Sequence, residues 1–64
     1  MKFKEGDWVV ITGGYKDHGI PVGTICEVFS AEEGYEFPYE LMNTGSGKFY
    51  DNNVAEDEIE FVED

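Results

Sequence analysis

The densest apolar run in the chain is Trp8-Val9-Val10-Ile11, preceded by Gly6-Asp7 and followed by a polar, glycine-rich stretch. A run this short, aromatic and β-branched predicts a strand over Trp8–Thr12. Neighbouring side chains of a strand point to opposite faces, so Val9 and Ile11 share one side and Trp8 and Val10 the other. Both sides are therefore apolar. The expectation is that Val9 and Ile11 meet the core while a loop or terminus covers Trp8 and Val10. Left uncovered, that second face would be a contact site.

The remaining pattern continues as short strands separated by turn residues. Gly23–Ser30 predicts a second strand, with Ala31-Glu32-Glu33-Gly34 as a hairpin tip. Phe37–Asn43 predicts a third, with Phe37, Tyr39 and Leu41 on one face and Pro38 near its start, where an edge or bulge tolerates it. Asn43–Gly47 reads as a turn, Lys48–Asp51 as a fourth strand with Phe49 and Tyr50 on opposite faces, and Asp51-Asn52-Asn53 as its end. Val54–Glu58 suits one 3₁₀ turn. Ile59–Val62 predicts the fifth strand, and Glu63-Asp64 a frayed end. A single helix over 54–63 competes with this reading, but Phe61 falls off its apolar face.

These elements predict an all-β fold: a small five-stranded closed barrel, one domain over residues 1–64, with a long first loop and a 3₁₀ turn before the last strand. Closure removes exposed strand edges, which suits a chain too short to bury much surface. The predicted core is Val9, Ile11, Ile25, Val28, Tyr39, Leu41, Phe49, Val54 and Ile59, with Phe3 as a lid at one end.

The first loop, Gly13 to Pro21, is longer than a hairpin needs, which marks it for function. His18 within it is the sole histidine. It has no companions at metal-ligand spacing and no serine or cysteine arranged as its nucleophile, so it reads as a polar loop residue. Gly13-Gly14 lacks the Lys-Ser/Thr and helix start of a phosphate cradle.

Charge sharpens the picture. Fifteen acids face four lysines, for a net charge of −11. Residues 1–25 are balanced, and residues 26–64 set twelve acids against Lys48 alone. Such a field repels phosphate backbones and anionic lipid and attracts basic surfaces. The plainer reading of the same acids is solubility. Ten aromatic residues argue against a disordered acidic tail. Cys26 is the single cysteine and sits in a predicted strand as an apolar filler. With no signal-type apolar stretch at the start and no run near membrane-spanning length, the expected setting is a reducing cytoplasm.

Several stretches resemble the small Src-homology-3-like barrel proteins of bacteriophages. They are Phe3-Lys4-Glu5-Gly6-Asp7-Trp8-Val9-Val10-Ile11, His18 to Val28 with its Pro21-Val22-Gly23-Thr24, Pro38-Tyr39-Glu40-Leu41, and the acidic Ala55 to Glu60. The resemblance covers most of the chain. It implies a groove between the first loop and the neighbouring hairpin tip, with Tyr15, Lys16, Asp17 and His18 facing Glu32, Glu33, Tyr35 and Glu36. It also implies a host protein as partner. Two departures stand out: relatives that bind nucleic acid carry basic residues on strand one and the loop, whereas this chain shows Trp8 and Val10 there and is acidic. For relatives that bind proline-rich peptides, Tyr15, Tyr35 and Tyr50 supply rings without a fixed spacing.

The leading functional expectation is a non-enzymatic, acidic protein-binding module, a phage-encoded inhibitor or modulator of a host nucleic-acid enzyme or DNA-binding protein. Its acids would imitate a phosphate array. The expected partner-binding residues are Tyr15, His18, Glu32, Glu33, Tyr35, Glu36, Tyr50, Glu56, Asp57 and Glu58. No cofactor, metal, membrane or direct nucleic-acid contact is expected, and the chain is read as a monomer or weak homo-oligomer. The alternative is a structural or accessory subunit that packs through the Trp8–Val10 face. Carboxylates such as Asp51, Asp57 and Glu58 match no calcium-loop pattern, and no nucleophile–base pair stands at a motif spacing.

Overall fold

A computed structural model describes residues 1–62. The first apolar run forms β1 (Trp8–Ile11), and Gly13–Gly19 encloses a single helical turn, α1 (Tyr15–His18). β2 (Ile25–Ala31) and β3 (Tyr39–Asn43) follow, then a 3₁₀ turn, η1 (Glu56–Glu58), and β4 (Ile59–Phe61). The four strands form one antiparallel sheet in the order β3-β2-β1-β4. The all-β architecture, the 3₁₀ turn and the last strand match the sequence expectation; among the described residues, the competing single helix from residue 54 onward does not form. The expected frayed end at Glu63-Asp64 lies outside the described residues.

The closed five-stranded barrel is not what forms. The predicted strand at Lys48–Asp51 reduces to one isolated bridge, Met42 to Phe49, with a second, Tyr39 to Val54, just beyond it. The segment nevertheless follows β3 closely. Asn43 N–H donates to the Lys48 carbonyl at 2.8 Å, Tyr50 N–H to the Leu41 carbonyl at 3.2 Å, and Val54 N–H to the Tyr39 carbonyl at 2.9 Å. Gly47 and the Asp51-Asn52-Asn53 break bend this segment, so it bonds at intervals and forms no regular ladder. The result is a curled open sheet whose two ends are joined by η1.

Inside the curl lie Phe3, Val9, Ile11, Ile20, Cys26, Val28, Tyr39, Leu41, Val54 and Ile59. Phe3 is the expected lid: its ring meets Tyr39 edge-on at 5.4 Å and Phe61 at 4.7 Å. Two expected core residues are not there. Ile25 is 41% exposed and Phe49 51%. Ile25 and Val28 have opposite parity on one strand, so both cannot point inward, and the pleat turns Cys26 and Val28 to the core. Phe49 bridges Met42, which faces out, so Tyr50 takes the inner side. The expected cover over β1 is also missing, because Trp8 is 53% exposed. Cross-strand register sets Glu27 beside Trp8 and Ile25 beside Val10 on that outer face.

Candidate functional site

The first loop is stiffer than its composition suggests. Asp17 and His18 N–H groups donate to the Gly14 carbonyl, and Gly19 N–H donates to Tyr15 at 2.7 Å. Gly14 (φ +82) and Gly19 (φ +73) bracket the turn in a left-handed conformation that only glycine adopts freely. His18 is 4% exposed, contrary to its expected place on a binding surface. Nδ1 accepts the Ile20 N–H at 2.9 Å, and Nε2 then carries the hydrogen and donates to the Gly13 carbonyl at 2.6 Å. The ring is a buried brace that ties both ends of the turn and sends Ile20 into the core.

Glu58 also turns inward, at 7% exposed, and leaves the expected partner-binding set. One carboxylate oxygen accepts the Ala55 N–H at 2.8 Å, half of a capping box, since Ala55 has no side-chain acceptor to return the bond. The other lies against Gly14, where an added Cβ would collide with it. With Thr12 N–H donating to the Glu58 carbonyl at 2.9 Å, η1 and the first loop become one unit.

Tyr50 is half-buried, accepts a hydrogen bond from the Asn43 amide at 2.8 Å and packs on the core, so it is not an exposed anchor. Asn43 meanwhile holds the following turn by accepting from Gly45 and Ser46 N–H. Glu56 stays at the surface but is committed to the fold, accepting from the Tyr39 hydroxyl at 2.8 Å and from Lys2 N–H at 3.2 Å. Those two donors, the hydroxyl first, hold its carboxyl below the usual range. Burial, then the Glu56 carboxylate, pushes the Tyr39 hydroxyl up. Desolvation likewise raises the Cys26 thiol, consistent with its reading as a filler.

The other expected residues are exposed, and several converge. Asp17 from α1 and Tyr35-Glu36-Phe37 from the β2–β3 connection line one concavity of about 400 Å³ with Asn52 and Asn53. Glu32, Pro38 and Glu40 border an adjoining hollow that shares Tyr35, Phe37 and Asn53. Tyr35, at 67% exposed, stands at the junction. Of the four loop residues expected to face the hairpin tip, only Asp17 lines this groove, against Glu32, Tyr35 and Glu36; Lys16 does not line it and His18 is buried. Tyr15, Glu33 and Asp57 are exposed but do not line it; Glu33 lies 4.0 Å from the Met1 amino group. Sequence reasoning missed Asn52 and Asn53. Their break in the strand was visible, but not that the break would form a wall.

The lining carries four carboxylates, Asp17, Glu32, Glu36 and Glu40, and no cationic side chain. An open, acidic groove around an exposed phenol favours cationic groups over anions. Among the described residues no three His, Cys, Asp or Glu side chains gather to hold a metal ion. No helix of the described residues is long and apolar enough to cross a membrane. No family model, curated protein or solved structure matches the chain.

Proposed function

We propose that this chain is a non-enzymatic protein-binding module that docks on a basic surface of a larger protein through the groove between the first loop and the β2–β3 connection. The observation that carries this reading is the placement of Tyr35 among Asp17, Glu32 and Glu36, with no cation in the lining. Carboxylates in an overall field of −11 accelerate encounter with a cationic partner, and an aromatic side chain at their centre supplies the desolvated anchor. His18 and Glu58 serve this surface indirectly, by fixing the loop that presents Asp17.

The curled sheet, with the 47–54 segment bonded along β3, supports the reading of the fold as a relative of the small Src-homology-3-like barrels of bacteriophages. On that reading the partner is a host nucleic-acid enzyme or DNA-binding protein. The module inhibits or modulates it in the host cytoplasm, its acids standing in for phosphates. The test is capture of the partner from bacterial lysate, followed by association rates across ionic strength. The expected outcome is at least a tenfold slower association at high salt, and weaker binding after Tyr35→Ala. An association rate that stays flat across salt would sink electrostatic mimicry.

A further inference from the structure

The groove leaves most of the outer face of the sheet unexplained. On the outer face Trp8, Ile25, Phe29 and Phe49 are exposed, and Val10 and Met42 are half-buried among them. Cross-strand register places these side chains in rows. Trp8, Glu27, Met42 and Phe49 stand side by side across β1, β2, β3 and the 47–54 segment, and Val10 lies beside Ile25. The irregularity in β2 between Val28 and Ser30 makes Phe29 an extra residue, and its ring meets Phe49 edge-on at 4.6 Å. None of these apolar residues lines the acidic groove, whose adjoining hollow meets this face only at the margin, at Ser30 and Glu40. A contiguous apolar patch of this kind on so small a domain marks an interaction site.

Glu27 decides what can occupy it. It is a half-buried carboxylate in the middle of the apolar row, and among the described residues no cation pairs with it. Covering Glu27 with another apolar surface would desolvate an unpaired charge, which is strongly unfavourable. A second copy of this chain is a poor occupant for that reason. Two outer faces pressed together would bury two such carboxylates and bring two charges of −11 into contact. At the β4 margin Glu60 borders Val10, opposed only by Lys2.

We propose that the outer face of the sheet docks a partner protein segment that sets a lysine or arginine over Glu27 and apolar side chains on Trp8 and Phe49. The carboxylate selects the partner, and the rings supply the buried area. The module thus carries two separate docking surfaces.

A displayed library of random peptides, panned against the whole chain with counter-selection on Trp8→Ser, tests this. The expected result is enrichment of peptides that alternate basic and aromatic or aliphatic residues. Their affinity should fall at least tenfold with Glu27→Lys and with Phe49→Ser, and stay within twofold with Tyr35→Ser. Far-ultraviolet circular dichroism confirms that each variant is folded. Enrichment of acidic or purely polar peptides would overturn the proposal. So would binding that survives Glu27→Lys, or a library in which nothing distinguishes the chain from its Trp8→Ser variant. A dimer in sedimentation that dissociates on Trp8→Ser would identify a second copy as the occupant instead.

Discussion

The Tyr39 hydroxyl donates to the Glu56 carboxylate at 2.8 Å and accepts the Phe3 N–H at 3.3 Å, so one phenol ties the N-terminal lead-in, β3 and η1 together. The ring is fully buried, with Phe3 edge-on against it. Tyr39→Phe keeps the ring and removes both hydrogen bonds. It should lower unfolding free energy by about 1–3 kcal/mol, because a buried N–H is left unpaired. Urea denaturation reads the loss directly.

The same pair sets opposite limbs of the pH–stability curve. Glu56 and Asp7 both have carboxyls held below their usual range, Glu56 by Tyr39 and Lys2, Asp7 by the Lys4 backbone N–H. Their contribution is therefore full above the ordinary carboxylate range and is lost as pH falls from there through their lowered folded-state values. Tyr39 is shifted the other way, by burial first. Its contribution is full below the ordinary phenol range and is lost as pH rises from there through its raised folded-state value. Denaturation midpoints across pH should fall on both sides, and Tyr39→Phe should flatten the alkaline side. An unchanged alkaline limb in that variant would refute the assignment.

His18 acts as a brace, and its two hydrogen bonds separate by substitution. His18→Ala leaves the Ile20 N–H and the Gly13 carbonyl without partners and should cost about 2–3 kcal/mol. Asparagine at this position can accept the N–H two residues on, as in an Asx turn, and should recover part of that loss. Hydrogen exchange at the Ile20 amide distinguishes the two: fast in the alanine variant, slower in the asparagine variant.

Gly14 is required twice over, once for its φ of +82° and once because a Cβ would meet the Glu58 carboxylate. Gly19 has a positive φ but open space, and Gly13 has neither constraint. Alanine substitutions should therefore destabilise in the order Gly14, Gly19, Gly13, with Gly19→Ala near the about 1–2 kcal/mol of left-handed backbone. Adding Glu58→Ala to Gly14→Ala should relieve the clash and not the backbone term, which a double-mutant cycle measures.

Cys26 should be chemically silent in the folded protein. Its thiol is buried and raised by desolvation, and the thiolate is the reactive form. Alkylation by iodoacetamide should proceed only as fast as the chain opens, and should accelerate in the Tyr39→Phe variant.

Four of the five strand positions, the Asn43–Gly47 turn and the 3₁₀ turn were legible because alternation and turn chemistry are local, whereas Lys48–Asp51 forms no regular strand. Parity mistakes such as Ile25 and Phe49 arose where both faces of a strand are apolar, so alternation alone did not say which side was in. His18 and Glu58 were misplaced for a different reason. Polar type suggested solvent, whereas backbone groups of the first loop and of the approach to η1 are satisfied by this ring and this carboxylate. The groove was anticipated from loop length and resemblance, and its Asn52-Asn53 wall was not, since nothing local brings that break beside Asp17. The outer face was half visible in Trp8 and Val10, but its extension to Phe49 depends on register across the sheet.

Residues 47–54 run beside β3 and occupy its outward N–H and carbonyl groups at Tyr39, Leu41 and Asn43. That flank therefore has little left to offer an incoming chain in search of a template. β4, the opposite margin, is three residues long and carries Glu60, a poor seed for fibrils. A protein with rings on its outside can stay dispersed at high concentration when its backbone is closed to recruitment.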